Sequence, residues 1–475
     1  MKAALLALLA GCGADVVELR IIIDSPQPGS PAAAFPDLDT VELSVALAGA
    51  PLPLVERTFQ KGETIELPDV PYGENLVVHM IGRVGSNEVA VGRTCPFSVR
   101  IGEDPPEPHL YFARTVKWAP FAEPTSKTRD GATALTDFEG NALYIGGVDQ
   151  GSIPLSGIDR FDTMNGVFEQ VAEVEPRRNG AAAQLADGRI VILGGTTQSG
   201  IAADTLDIVD LNAAMDRRVT RAGASQSLIG LVAPALVTTS DGAVVAFGGS
   251  PGIGVVRDNI VDIRGAGPEQ RELTRARLAL ARKQHTVTRL SDDIGAPILI
   301  IGGVNASDVP IATAELYRPL IEEMVPGFMP NMVKPRRDHQ AVRLPDGSVL
   351  IVGGLNAMNQ PERELEIFTF DSGFQSAGIL PAAAGVTDFT VTPLPDGSIL
   401  LAGGRDGSNN PVATSFIIRL DAADGNLEVV TTDRLTSPRA RHQATLLCDG
   451  TVMLVGGTLI AAPAERYNPP SIGRR

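Results

Sequence analysis

The chain has 475 residues and a formal net charge of −16, from 40 basic and 56 acidic side chains. This acidic balance argues against binding to the phosphates of nucleic acids, which attract clusters of Lys and Arg. The length allows two or more domains, and the 50 Gly and 35 Pro residues are typical of a turn-rich β protein. No Cys-x-x-Cys or His-Glu-x-x-His spacing is present, so we predict no metal and no cofactor.

The chain opens with an apolar segment of eight residues after Lys2, ending in a Leu-Ala-Gly-Cys box at Cys12. This run is too short for the ~20 residues of a membrane-spanning helix. It resembles the signal peptide of a bacterial lipoprotein, so we predict that residues 1–12 are this signal with its lipobox and that Cys12 is acylated. The resemblance implies a cell-envelope protein attached to the membrane by lipid, and Gly13 favours the outer membrane, on its periplasmic or surface face. The alternative is a fortuitous apolar turn.

Residues 17–101 contain short apolar runs that alternate with Pro- and Gly-rich turns about every ten residues. This spacing predicts a small β-sandwich. The run 66–83 resembles a hairpin of immunoglobulin-like and transthyretin-like modules. We therefore expect a β-sandwich stalk over 17–101 and a semi-rigid linker over the Pro-rich residues 102–110.

Two cysteines remain besides Cys12. Cys95 lies in the predicted stalk and Cys448 near the C-terminus. We expect two buried free thiols, with a disulfide in an oxidising periplasm as the alternative.

A glycine doublet that closes an apolar run recurs seven times, at intervals of 48 to 54 residues. A fixed period of this length indicates stacked copies of one supersecondary unit. The doublets are Gly146-Gly147, Gly194-Gly195, Gly248-Gly249, Gly302-Gly303, Gly353-Gly354, Gly403-Gly404 and Gly456-Gly457.

An Asp-Gly pair precedes five of the doublets, with an interval of six from its glycine to the first glycine of the doublet. Asp-Gly between apolar runs predicts a tight hairpin, because glycine tolerates a positive φ. The strand that follows is apolar throughout, as in "RIVIL" and "SVLIV", so both of its faces should be buried.

These hairpins and doublets resemble the kelch motif, in which four strands form one blade of a β-propeller. The resemblance covers residues 111–470 and implies an all-β, galactose-oxidase-like, seven-bladed propeller. Third strands fit the segments around Phe161, Val209, Tyr317, Phe370, Leu420 and Tyr467.

The last repeat is too short for a fourth strand. We expect residues 114–120, with the single tryptophan Trp118, to complete the seventh blade and close the ring, which removes exposed sheet edges. The alternative places Trp118 in the linker.

A recurring set of arginines and histidines marks candidate binding positions. Five arginines precede their doublets at one repeat position, and three of them begin Arg-x-x-His: Arg129, Arg177, Arg282/His285, Arg336/His339 and Arg439/His442. At the start of the innermost strands they would ring the channel mouth and bind a carboxylate, sulfate or acidic sugar. The alternative, which we favour, is structural, because Arg-x-x-His belongs to the kelch motif itself.

The resemblance leaves the activity open. Oxidases of this fold need His and Tyr copper ligands, with one Tyr crosslinked to Cys, and the five tyrosines map to outer, third-strand or N-terminal positions. Kelch-type sugar epimerases use Arg, His and Glu near the mouth. We predict a monomeric, non-enzymatic scaffold that binds a protein or glycan partner, and keep a carbohydrate-active propeller, epimerase-like or oxidase-like, as the alternative.

Overall fold

The computed structural model describes residues 16–470, except 68, 122–128, 204, 224–230, 253, 265–270, 421–425 and 458–463. Within these residues the chain is all-β, with short 3-10 turns at Phe35–Asp37, Met215–Arg217 and Pro319–Ile321. No helix in this part of the chain is long and apolar enough to cross a membrane. The predicted signal peptide and Cys12 lie outside the described residues.

The N-terminal unit is built on one seven-stranded sheet. Its strands follow the order Ile22–Asp24, His109–Arg114, Asn87–Arg93, Gly73–Val84, Thr40–Leu47 and Val55–Gln60, and Phe97–Val99 also pairs with Gly73–Val84. The first two strands run parallel and the others antiparallel. Val16–Val17 and Val70–Pro71 form a separate two-stranded ribbon. The predicted sandwich of two packed sheets is not confirmed.

The boundary between the two units lies later in the chain than the sequence indicated. The strand His109–Arg114 begins inside the predicted linker and pairs with both Ile22–Asp24 and Asn87–Arg93. Its alternating apolar residues Leu110 and Phe112 are fully buried in the core of this sheet, which explains why the segment is a strand.

The rest of the chain folds into seven four-stranded antiparallel sheets, which confirms the predicted seven-bladed propeller. We number the blades by their glycine doublets in chain order and count strands outward from the innermost. Blade 1 contains Thr133–Thr136, Ala142–Ile145, Gly157–Asp162 and Val167–Glu173. Blade 2 contains Ala181–Gln184, Ile190–Leu193, Thr205–Val209 and Val219–Gly223. Blade 3 contains Ala235–Thr238, Val244–Phe247, Asn259–Ile263 and Arg271–Arg277. Blade 4 contains Thr286–Arg289, Ile298–Ile301, Ala314–Arg318 and Glu323–Met324. Blade 5 contains Gln340–Arg343, Val349–Val352, Glu364–Thr369 and Gly373–Ile379. Blade 6 contains Thr390–Pro393, Ile399–Ala402, Ser415–Leu420 and Leu427–Thr431.

Blade 7 joins the two ends of the propeller. Gln443–Leu446, Val452–Val455 and Ala464–Asn468 are its first three strands, and Lys117–Pro120 is the fourth. Trp118 pairs with Tyr467 across this junction, with ring centroids 4.8 Å apart. Its indole Nε1 donates a hydrogen bond of 2.9 Å to Ser415 Oγ in blade 6. The predicted closure is therefore confirmed.

In each blade, the second strand is buried along its whole length, as its continuous apolar sequence predicted. These strands pack between neighbouring blades, because one face meets the preceding blade and the other the next. For example, Leu350 packs with residues of blade 6, whereas Ile351 packs with residues of blade 4. This packing forms a continuous apolar core around the propeller.

The N-terminal unit is attached to blade 7 covalently. Cys95 and Cys448 form a disulfide, with Cα atoms 5.0 Å apart, so the expectation of two free thiols is wrong. Sequence spacing concealed the pair, because 353 residues separate the two cysteines. Asn468 reinforces the contact by donating hydrogen bonds to the carbonyls of Val91 and Ala113.

Candidate binding face of the propeller

The five predicted arginines lie inside the blades, with side chains 0 to 2% exposed. Each donates through Nη1 to the carbonyl of the first glycine in its own blade's doublet, over 2.6–3.1 Å. Each also forms an ion pair with a carboxylate on the third strand of the same blade. The acid partners are Asp159, Asp207, Glu315, Glu366 and Glu465.

These contacts correct the predicted position of the arginines. The five arginines do not form an exposed ring at the channel mouth, since each guanidinium is enclosed between the glycine doublet and the acid of its own blade. A buried guanidinium needs such a partner, because an isolated charge in the interior is strongly unfavourable. The contacts agree with the structural interpretation that the sequence favoured.

Blades 3 and 6 show that the ion pair has an apolar substitute. In blade 6, Val386 stands at the arginine position and Phe416 at the acid position, and both belong to one buried cluster. In blade 3, Leu231 and Val261 hold the same two positions and also pack in one cluster. Both partners are thus replaced together, which is expected when neither charge is tolerated alone.

The glycine doublets join neighbouring blades. The second glycine donates its N–H to the carbonyl at the arginine position of the next blade, as from Gly147 to Arg177 (2.9 Å) and from Gly404 to Arg439 (2.8 Å). A side chain on the first glycine would collide with that neighbour: a Cβ on Gly403 would lie 2.7 Å from the His442 ring. The doublet is therefore required for close contact between blades.

The three histidines fill this same interblade space. His339 and His442 are 3% and 1% exposed, and each Nε2 hydrogen-bonds a threonine of the preceding blade, Thr286 at 2.9 Å and Thr390 at 3.0 Å. Burial, with the neighbouring arginines, lowers the pKa of both His339 and His442 to about 3, so both rings are neutral at pH 7. Burial also lowers the pKa of His285 well below its usual value. In blade 6 this position is Phe389, which contacts Gly353 in the same way. The position is therefore a packing position.

The channel mouth is formed by residues that the sequence did not single out. Two positions after the arginine position, each blade places one residue in the left-handed region, with φ between 51° and 64°. These seven residues are Gly131, Asn179, Ala233, Gln284, Asp338, Asp388 and Arg441. Backbone hydrogen bonds link neighbours in this ring, including Arg441 to Asp388 at 2.8 Å and Gly131 to Arg441 at 3.1 Å, which closes the ring between blades 7 and 1.

A polar cavity of about 330 Å³ opens at this ring, lined mainly by blades 1, 6 and 7. In its wall, Asp388 accepts hydrogen bonds from Arg405 (2.9 Å) and Arg441 (3.3 Å). Close to this cluster, one carboxylate oxygen of Asp130 is buried and has no hydrogen-bond partner among the described residues. Burial raises the pKa of the Asp130 carboxyl, an effect that Arg441 opposes. The cavity therefore offers both donors and acceptors to a small polar ligand.

An arc of exposed apolar residues surrounds part of the mouth. In the loops that join second and third strands, the residue seven positions after the first glycine of the doublet is Ile or Val in blades 1 to 4. We call this set the apolar arc: Ile153, Ile201, Val255 and Val309, which are 48, 65, 48 and 49% exposed. The equivalent residues of blades 5 and 6, Gln360 and Asn410, are polar and exposed.

The loops hold the arc in a defined conformation. Asp149 accepts hydrogen bonds from the backbone N–H groups of Gly151 and Ile153, both at 2.9 Å. Asn305 makes the same contacts to Ser307 and Val309. The side chains are thus presented outward by loops with satisfied backbones, which reduces the entropic cost of binding a partner. A period-by-period alignment of the loops would have revealed the arc; the polar composition of the loops obscured it.

The side chains that the structure describes do not assemble a copper centre. Tyr144, Tyr317 and Tyr467 are fully buried within blades, and Cys95 and Cys448 are joined in the disulfide. Within the described residues, no group of three or more His, Cys, Asp or Glu side chains is placed to hold a metal ion. The expected oxidase ligands are therefore not assembled in this part of the chain.

Comparison with known proteins supports the fold. The chain matches no protein-family model and resembles no curated protein in sequence. Among solved structures, a fungal alcohol oxidase of the AA5 family, in complex with copper, aligns with a TM-score of 0.57 at 18% identity, over 74% of this chain and 76% of that chain. The structure of YjhT aligns with a TM-score of 0.43 at 11% identity, over 72% of this chain and 94% of that one. At 18% identity, the likeness to the oxidase shows the propeller fold alone.

Proposed function

We propose that this protein is a binding scaffold of the bacterial cell envelope, which receives a protein partner on the apolar arc. The observation that carries the proposal is the conjunction of four exposed β-branched side chains at one repeat position of consecutive blades. Scattered exposed apolar residues need no explanation, but apolar residues that recur at one position of consecutive blades, beside polar ones, suit a protein interface. Here Gln360 of blade 5 and Asn410 of blade 6 provide part of a polar rim.

The proposal includes attachment to the membrane through an acylated Cys12, with the outer membrane as the site. It is supported by the Leu-Ala-Gly-Cys box, and by a disulfide of the kind that persists in oxidising compartments outside the cytosol. Labelling cells with a clickable palmitate analogue tests it. We expect the wild-type protein to carry the label and Cys12→Ser to lack it; equal labelling of both would contradict the anchor.

Affinity capture from solubilised envelopes tests the partner. Ile201→Asp and Val309→Asp place charges within the arc, and we expect each to remove the captured protein, because a desolvated unpaired charge opposes binding. Ile294→Asp is the matched control, since Ile294 is 79% exposed in a hairpin between first and second strands, at the other end of its blade. Capture that survives both arc substitutions, or is lost equally with Ile294→Asp, would contradict the proposal.

A second candidate is binding of a small acidic or polyhydroxyl sugar in the channel mouth. It is favoured by the cluster of Arg405, Asp388 and Arg441, which lies beside an Asp130 oxygen that no other described residue contacts through a hydrogen bond. A glycan array separates the two: binding lost in Arg441→Gln but retained in Ile201→Asp supports the sugar site. An array without signal contradicts the sugar site.

A further inference from the structure

We propose that one end of the N-terminal sheet is a membrane-contacting surface, seated in the interface of the lipid bilayer beside the anchor. This end, which we call the apolar tip, comprises Leu47, Leu52, Leu54 and Ile101. The inference rests on the proposed acylation of Cys12 and extends it, because it specifies which surface of the folded protein meets the lipid.

Strand pairing places the start of the folded chain at this end. Val16 pairs with Pro71, two residues before the long central strand begins at Gly73. Cys12 precedes Val16 by four residues, which span at most about 14 Å when fully extended. A lipid on Cys12 would therefore hold this end of the sheet close to the bilayer.

Four of the exposed side chains at the same end are apolar. Leu47 pairs with Leu76 near the start of the central strand, and the hairpin loop that follows, 48–54, contains no charged residue. Leu52 is 75% and Ile101 74% exposed. Ile101 extends beyond Val99, which pairs with Gly73, so it lies at this end as well.

The charges and the propeller are both placed compatibly with lipid contact. Arg100, at this end, forms ion pairs with Glu74 at 3.5 Å and with Glu103 at 3.8 Å. The chain leaves the sheet for the propeller from the opposite end, after Arg114, which pairs with Ala90. Leu52 and Leu54 also lie in the hairpin that leads into Val55–Gln60, the sheet edge farthest from Ile22–Asp24. The tip thus presents apolar area that could be buried in the interface, and such burial favours binding without anionic lipid.

Tryptophan quenching in vesicles tests the inference. The mature chain from Cys12 is coupled through that thiol to a maleimide lipid in phosphatidylcholine vesicles; Cys95 and Cys448 are in a disulfide and do not compete. Leu52→Trp reports on the tip, and Val84→Trp, at the opposite end of the same central strand, is the matched control. The native Trp118 is 2% exposed and gives a constant background, measured in the unsubstituted protein.

With brominated phosphatidylcholine we expect a blue shift and about twofold quenching of the added Leu52→Trp emission, insensitive to salt. The Val84→Trp emission should match that in vesicles without bromine. Absence of quenching at position 52, in a protein whose melting temperature equals that of wild type, would overturn the inference. Because the coupling is chemical, this result is independent of whether cells acylate Cys12, which the palmitate label reports separately.

Discussion

At the scale of single residues, the buried Arg–acid pairs explain why the arginines recur. Arg336 and Glu366 are both 0% exposed, and Glu366 also accepts hydrogen bonds from the backbone of Val333 and Lys334. Such a pair stabilises the blade only while both partners are present. The chain itself supplies the alternative, in the Val386 and Phe416 of blade 6.

This comparison predicts the outcome of a double-mutant cycle. Arg336→Val alone should lower the free energy of unfolding by about 3–5 kcal/mol, because it leaves the Glu366 carboxylate buried and unpaired. Arg336→Val with Glu366→Phe should cost at least about 1 kcal/mol less than Arg336→Val alone. Urea unfolding measures both. If the loss of unfolding free energy in the double variant equals the sum of the losses in Arg336→Val and Glu366→Phe, the two positions are independent.

The buried histidines predict a pH dependence. Folding lowers the pKa of His442 to about 3, below its unfolded value, so protonation favours the unfolded chain. Stability should therefore fall as pH decreases from about 6.5 towards 3, with a contribution of up to about 1.4 kcal/mol per pH unit from each histidine.

His442→Phe, which copies the Phe389 of blade 6, should lessen this acid sensitivity. The difference in free energy of unfolding between variant and wild type should shift in favour of the variant as pH drops below about 6.5, and stay constant above about pH 7.5. Urea titrations over this range provide the measurement. A difference that does not vary with pH would mean that His442 ionises alike in both states.

At the scale of elements, the strand Lys117–Pro120 determines whether the ring closes. Trp118 stacks on Tyr467 and donates a hydrogen bond to Ser415. It therefore joins this fourth strand both to the third strand of blade 7 and to blade 6. Trp118→Ala should lower the free energy of unfolding by about 3–5 kcal/mol, as expected for a buried tryptophan. Trp118→Phe keeps most of the packing and should lose less. Calorimetric melting that is unchanged in Trp118→Ala would contradict closure by this strand.

The propeller elements could be predicted from sequence because they repeat. Seven doublets fix the ends of the seven buried second strands. Five of the six proposed third-strand residues lie in the observed third strands, and Phe370 lies one residue beyond its strand. His109–Arg114 could not be assigned in this way, because it occurs once and its partners are distant in sequence. The burial of the five arginines was equally hidden, since their acid partners are separated from them by variable loops.

The mouth and the arc show a different limit. Asp388 and Arg441 stand at one repeat position in neighbouring blades, yet their contact depends on both being in the left-handed region. Side-chain composition alone does not predict that conformation for Asp and Arg. The arc, by contrast, follows a fixed count from the doublet, so a closer comparison of the loops would have predicted it.

At the scale of the whole molecule, the disulfide makes the N-terminal unit and blade 7 one covalent body. Removing it with Cys448→Ser and Cys95→Ala together should cost about 2–5 kcal/mol. The N-terminal unit should also become more susceptible to proteolysis, because only noncovalent contacts would then hold it to the propeller. These include the hydrogen bonds of Asn468 and the stacking of Arg466 on Tyr111. Limited proteolysis with and without reductant checks this. Identical digestion patterns would mean that the disulfide does not restrain the two units.

The central claim is that a partner engages the apolar arc, and photo-crosslinking tests it most directly. A benzoylphenylalanine at Ile201 is compared in cells with one at Ile294, which lies in a hairpin turn at the other end of its blade. We predict one discrete crosslinked species from position 201 and none from position 294. No adduct at position 201, or the same adducts from both positions, would contradict the account.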